Sequence, residues 1–125
     1  MDVERQVEYW RSGSAEDFAA AESLADRHPR HALFFAHLAL EKLLKAHVTR
    51  ASADVPPRVH DLLRLAELAG LALSAEQREF LARFQQHCLA GRYPDLQRAM
   101  QNPGEVAAEL AEAREVLAWL QSRLP

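Results

Sequence analysis

The stretch Arg30-His31-Ala32-Leu33-Phe34-Phe35-Ala36-His37-Leu38-Ala39-Leu40-Glu41-Lys42-Leu43-Leu44-Lys45-Ala46-His47-Val48-Thr49-Arg50 decides the fold. Leu33, Phe34, Phe35, Leu38, Leu40, Leu43, Leu44 and Val48 surround a helix on nearly every side, which makes this the central, most buried helix. At about 100° per residue, Arg30, His37, Glu41 and Lys45 fall in one narrow sector, with Lys42 and Thr49 at its edge. That polar stripe is expected to be the helix's one wet face.

Working outward, a first helix from Val3 to about Arg27 carries Val7, Tyr9, Trp10, Phe18, Ala21, Leu24 and Ala25 at helical spacing. At Gly13 and Ser14 two outcomes stay open: a continuous helix, or a fresh start capped by Ser14 with Asp17 three residues on. Pro29 ends the segment. Beyond the central helix, Ala51 to Arg58 with its Pro56-Pro57 pair is a connection. A third helix then runs from near Val59 to about Ala69 on an inner face of Leu62, Leu65, Ala66 and Ala69, with Gly70 to end it. Ser74 and Gln77 have capping-box spacing, opening a fourth helix from Ala75 to about Ala90 around Phe80, Leu81 and Phe84, with Gly91 as its stop. Arg92-Tyr93-Pro94-Asp95 reads as a loop. Asn102, Pro103 and Glu105 then start a last helix with Val106, Leu110, Ala113, Leu117 and Leu120 on one stripe. The expectation is an all-α, antiparallel up-and-down bundle of four to five helices, one domain over residues 1–125.

Composition narrows the function classes. Fifteen basic residues against 18 acidic give a net charge of -3, which excludes a polyanion binder steered by net charge alone. Cys88 is the one cysteine, so no internal disulfide forms. The charged N-terminus lacks an apolar signal region, and the run from Ala32 to Leu40 is too short for the ~20 residues of a membrane span. A soluble, cytoplasmic protein is expected.

The sequence has no glycine-rich phosphate loop, His-Glu-x-x-His, Cys-x-x-Cys or Gly-x-Ser-x-Gly. His28 and His31 flank Pro29 without a nearby cysteine or carboxylate set, so no metal site is expected there. Lys42 and Lys45 admit two readings: a helix-stabilising Glu41–Lys45 pair, or two cations facing a cleft that takes a phosphate. His60, placed in the first turn of the third helix, is kept neutral by the helix dipole, as a base or as a structural hydrogen-bonding group. Arg92, Tyr93 and Asp95 suit either phosphate clamping with base stacking or a structural corner. Arg83 and His87, four apart on one face, are either a charge clamp with a general acid or base for a phosphodiester, or two solvated residues.

Taken in order, Trp10 and Asp17, the Ala36 to Ala46 segment with its Glu41-Lys42-Leu43-Leu44-Lys45, Pro57 through His60-Asp61-Leu62, and Arg92-Tyr93-Pro94-Asp95 resemble the HEPN domain. The resemblance spans nearly the whole chain. It implies a helical bundle, a homodimer, and pairing with a minimal nucleotidyltransferase in a two-protein module of toxin–antitoxin type. It implies no cofactor and no metal. Nuclease branches of the family carry an arginine, four to six residues and a histidine near the start of a late helix, and this sequence departs from that pattern. Arg83 and His87 have three intervening residues, and the one formal match, Arg30 with His37, lies on the central helix. The Arg-Tyr-Pro-Asp branch is similar to nucleotide-binding or partner-binding members, so Lys42, Lys45, His60, Arg92, Tyr93 and Asp95 become the expected nucleotide or phosphate site. The competing expectation is a metal-independent ribonuclease using Arg83 and His87, or Arg30 and His37. A third is a dimerisation scaffold in which every polar motif is structural.

Overall fold

The computed structural model describes residues 1–88 and 103–125. Arg92-Tyr93-Pro94-Asp95, Gly91 and the Asn102 cap lie outside the described residues. Five helices are described: α1 (Val3–Leu24), α2 (Pro29–Ser52), α3 (Leu62–Leu68), α4 (Ala75–Phe84) and α5 (Pro103–Ser122). No strand occurs among the described residues.

Local chemistry sets most boundaries. Asp2 caps α1 by accepting from the Arg5 N–H at 3.1 Å. α1 runs unbroken through Gly13, and Ser14 is no cap: its hydroxyl is buried and donates to the Ala39 carbonyl of α2 at 2.7 Å. α1 ends at Leu24, short of the expected Arg27, and Pro29 occupies the first position of α2. α3 starts at Leu62, later than expected, because the Asp61 carboxylate accepts from the Arg64 N–H at 3.1 Å and fixes the cap there. Its end is a full Schellman closure, with Gly70 N–H to Glu67 O at 3.0 Å and Leu71 N–H to Ala66 O at 3.1 Å. Gly70 supplies the positive φ of 70° that this closure requires. The Ser74–Gln77 capping box forms as its spacing predicts. α4 stops at Phe84 instead of continuing to Ala90, since the chain turns at Gln85 before helical backbone resumes at 86–88.

Cross-helix partners give the directions. Along α1 and α2, Glu4 meets Arg50, Trp10 meets Lys45, Ser14 meets Ala39 and Asp17 meets Lys42, so the two run antiparallel. Arg11 reaches the Leu124 carbonyl while Arg114 lies 5.7 Å over the Phe18 ring, which sets α5 antiparallel to α1. Arg83 bridges Glu109 and Glu112, and Phe80 and Val116 line one small cleft, so α4 and α5 are antiparallel too. The up-and-down bundle is therefore as expected, with the short α3 packed against α2 and α4. Leu40, Leu44, Leu62, Leu65, Phe80, Phe84 and Leu120 are fully buried at its centre. Among the described residues no helix is long and apolar enough to cross a membrane.

Two expectations fail on burial. Tyr9, assigned to the inner face of α1, is 66% exposed. More consequentially, the polar stripe of α2 is not wet: His37, Glu41 and Lys45 are all buried. The stripe of α2 expected to be wet is covered, so its polar groups must be matched by other side chains rather than by water.

Gly13 has a packing role. A Cβ there would stand 3.1 Å from Cδ of Lys42, so the absent side chain lets the lysine cross α1. Glycine-to-alanine changes inside helices ordinarily gain about 1 kcal/mol. We expect Gly13→Ala to forfeit that gain in the native background and recover it when Lys42 is also replaced by alanine. Urea unfolding of the four proteins measures the coupling, and a full gain with Lys42 present would show that the lysine yields freely.

Candidate functional site

Glu41, midway along α2, is the hub of the polar groups that the covered helix holds. Lys45, one turn on, donates from Nζ to Oε2 at 2.9 Å, and its side chain is 9% exposed. His60 approaches from the α2–α3 connection and places Nδ1 at 3.0 and 3.1 Å from the two carboxylate oxygens. His37, one turn earlier, holds Nδ1 at 3.8 Å from Oε1, beyond hydrogen-bonding distance.

The tautomers follow from the neighbours. An ionised carboxylate only accepts, so His60 donates through Nδ1–H and its Nε2 has no partner among the described residues. The Gln85 Oε1 accepts from the Leu62 N–H at 2.9 Å, which identifies that atom as the oxygen and makes His37 Nε2, at 3.3 Å, a donor to it. His37 Nδ1 is then a buried lone pair facing the carboxylate, and it has no hydrogen-bond partner. Burial holds the His37 imidazole below its ordinary value and therefore neutral, against the opposing pull of Gln85 and Glu41. Glu41 and Lys45 thus form a neutral buried pair, and His60 is the member that reaches water, with its side chain 51% exposed.

His60 lies outside α3, before the Asp61 cap, so the expected placement in a first helical turn is corrected. What faces it is the Glu41 carboxylate, and the helix-dipole argument does not apply. Lys42 and Lys45 do not converge: Lys42 pairs with Asp17 of α1 at 2.8 Å, and Lys45 turns to Glu41 with its ammonium 5.5 Å from the Trp10 ring centroid. Both ammonium groups already have carboxylate partners. Arg92, Tyr93 and Asp95 lie outside the described residues.

Arg83 and His87 do come together, around acids on α5. Arg83 reaches Glu109 at 3.3 Å and Glu112 at 2.8 Å, and the buried His87 places Nε2 at 3.5 Å from Glu109. That histidine contact, followed in weight by the Arg83 charge, holds the Glu109 carboxyl below its ordinary value. Arg30 and His37 offer no surface pair, since His37 is fully buried. Among the described residues no group of three or more His, Cys, Asp or Glu is arranged to hold a metal ion.

A family model described as HEPN domain matches residues 7–123. The chain belongs to the HEPN domain family. Comparisons with curated proteins and with solved structures return no match. Membership supports a role of the nucleotide-binding or ribonuclease type. Within this HEPN domain, sequence reading named His60 and the Glu41–Lys45 pair but did not join them, and it missed Gln85, which orients His37. Glu41 had a signal, since His37 and Lys45 stand one turn to either side of it. Gln85 had none, because its partners are 23 and 48 positions away.

The buried histidines give a pH dependence. His37 and His47 both lie below the ordinary 6.5 because burial disfavours their charged forms, and His47 also bonds the Leu120 carbonyl at 2.8 Å. Above that value both folded and unfolded chains are neutral at these positions. Below it the unfolded chain takes up protons that the folded one refuses, so stability falls as pH drops, until the folded-state values are passed. Urea midpoints should decline from about pH 7.5 to about pH 5, and a flat profile would mean these imidazoles are accommodated charged.

Proposed function

We propose that this chain is a nucleotide-binding HEPN module that dimerises and pairs with a minimal nucleotidyltransferase, in a two-protein system of toxin–antitoxin type. One observation carries the binding part: a half-exposed imidazole, His60, is held through Nδ1 by the buried carboxylate of Glu41. This leaves Nε2 to accept from a ribose hydroxyl, or when protonated to donate to a phosphate oxygen. Arg92 adds a bidentate phosphate contact and Tyr93 a stacking surface, with Asp95 orienting them. Lys45 contributes by balancing Glu41, and Lys42, paired with Asp17, as a hydrogen-bond donor at the α1–α2 seam.

The ribonuclease reading has weaker support. Two glutamates surround Arg83, and His87 is buried against one of them. A phosphodiester approaching that pair meets carboxylates that oppose it.

Thermal unfolding with and without nucleoside mono- and triphosphates tests the proposal. A ligand at a hundredfold excess over Kd adds about 2.7 kcal/mol of stability, a rise in Tm of several degrees. His60→Ala and Arg92→Ala are expected to abolish most of that rise while retaining helical content. A rise untouched by both variants would remove these residues from the site. RNA cleavage that survives chelators and disappears in His87→Ala would instead establish the nuclease. A tagged copy in its native host is expected to recover a small nucleotidyltransferase, and recovery of the chain alone would remove the pairing.

A further inference from the structure

The first helix carries a feature that the nucleotide reading does not use. Tyr9 and Trp10 are consecutive on α1, and their rings stand edge to face, 5.2 Å between centroids and 77° between planes. Tyr9 is 66% exposed, which leaves its ring open to an incoming group. The two rings form one side of a cleft of about 320 Å³, completed by Ser12, Gly13, Glu16 and Lys42. That volume is at the small end of ligand cavities, which run from about 300 to 1,000 Å³.

The walls select the chemistry. Two rings at near right angles make a corner that receives a flat ring, stacked on one and edge-on to the other. Over Gly13 the Lys42 side chain forms the floor, its Cδ 3.1 Å from where a Cβ would stand. Glu16 offers an acceptor, Lys42 a donor, and Ser12, whose hydroxyl already donates to the Glu8 carbonyl at 2.8 Å, a second acceptor, the mixed pattern that matches the edge of a heterocycle. Because Asp17 already neutralises Lys42 at 2.8 Å and Glu16 adds a negative charge, the cleft is no anion site and suits an uncharged ring. Its Trp10 wall also borders the Glu41 cluster, with Lys45 5.5 Å from the ring centroid and 2.9 Å from the carboxylate that holds His60.

We propose that the Tyr9–Trp10–Lys42 cleft is a nucleobase subsite. The inference rests on the nucleotide-binding reading above and adds where the base sits. Stacking on Tyr9 and Trp10 supplies affinity with little discrimination among bases, since every base has a π face. Glu16 and Ser12 then read the ring edge.

The test uses uncharged nucleosides, which lack the phosphate that His60 would meet. The chain has two tryptophans, so Trp119→Phe leaves Trp10 as the sole indole reporter. Adenosine, guanosine, cytidine and uridine are titrated against its emission. At least one is expected to quench saturably, and Tyr9→Ala in the same background is expected to weaken it about tenfold. Unchanged emission with all four nucleosides, while their monophosphates still raise Tm, would overturn the cleft and spare the nucleotide reading. Saturable, Tyr9-dependent quenching with a Tm rise indifferent to His60→Ala and Arg92→Ala would support the cleft and overturn the His60 assignment. Quenching at full affinity in Tyr9→Ala would place the nucleoside elsewhere and overturn the cleft.

Discussion

A single buried carboxylate, Glu41, sets the terms for the rest of the structure. Its side chain is 6% exposed, and an isolated charge at such a place would cost several kcal/mol. The chain meets that cost from two directions. Lys45 comes from the same helix one turn on, and His60 returns from the connection after α2. Ser52 closes α2 eleven residues beyond Glu41, about 16 Å along the axis, so the connection must travel back along the helix before α3 begins. Pro56 and Pro57 stiffen the stretch that makes this return, and Pro56 is itself buried. The Glu41 carboxylate thus holds the returning connection against α2, the Asp61 cap opens α3 directly after it, and α3 in turn closes over α2.

Much of the helical frame was legible because its signals are local. The Ser74–Gln77 box, the break at Pro29 between α1 and α2, and Gly70 at a positive φ each act within four residues. The buried stripe of α2 was not legible. Amphipathic reasoning assigns polar residues to water, and this holds only for a helix with one covered face. A helix whose polar stripe is covered keeps it by pairing those residues with distant ones, and nothing near His37 announces Gln85. Gly13 misleads for the same reason: propensity registers a penalty within α1, whereas the benefit belongs to Lys42 on α2. His60 failed by two positions, enough to exchange a helix dipole for a carboxylate as its governing neighbour.

Two clusters on this chain use the same pieces, a histidine, a cation and carboxylate, with opposite consequences. Around Glu109 the imidazole of His87 is buried, the arginine is shared between two acids, and the assembly stitches α4 to α5. Around Glu41 a single acid is balanced by a buried lysine, leaving an imidazole that is oriented but half in water. Orientation by a hydrogen bond on one ring nitrogen matters only if the other nitrogen can be reached. Exposure therefore separates an imidazole that solvent reaches from one that is wholly packed. The spacing of Arg83 and His87 points to chemistry, yet burial and two carboxylates turn it toward packing; His60, outside α3 and held by a carboxylate of α2, is the imidazole that both constraints leave available.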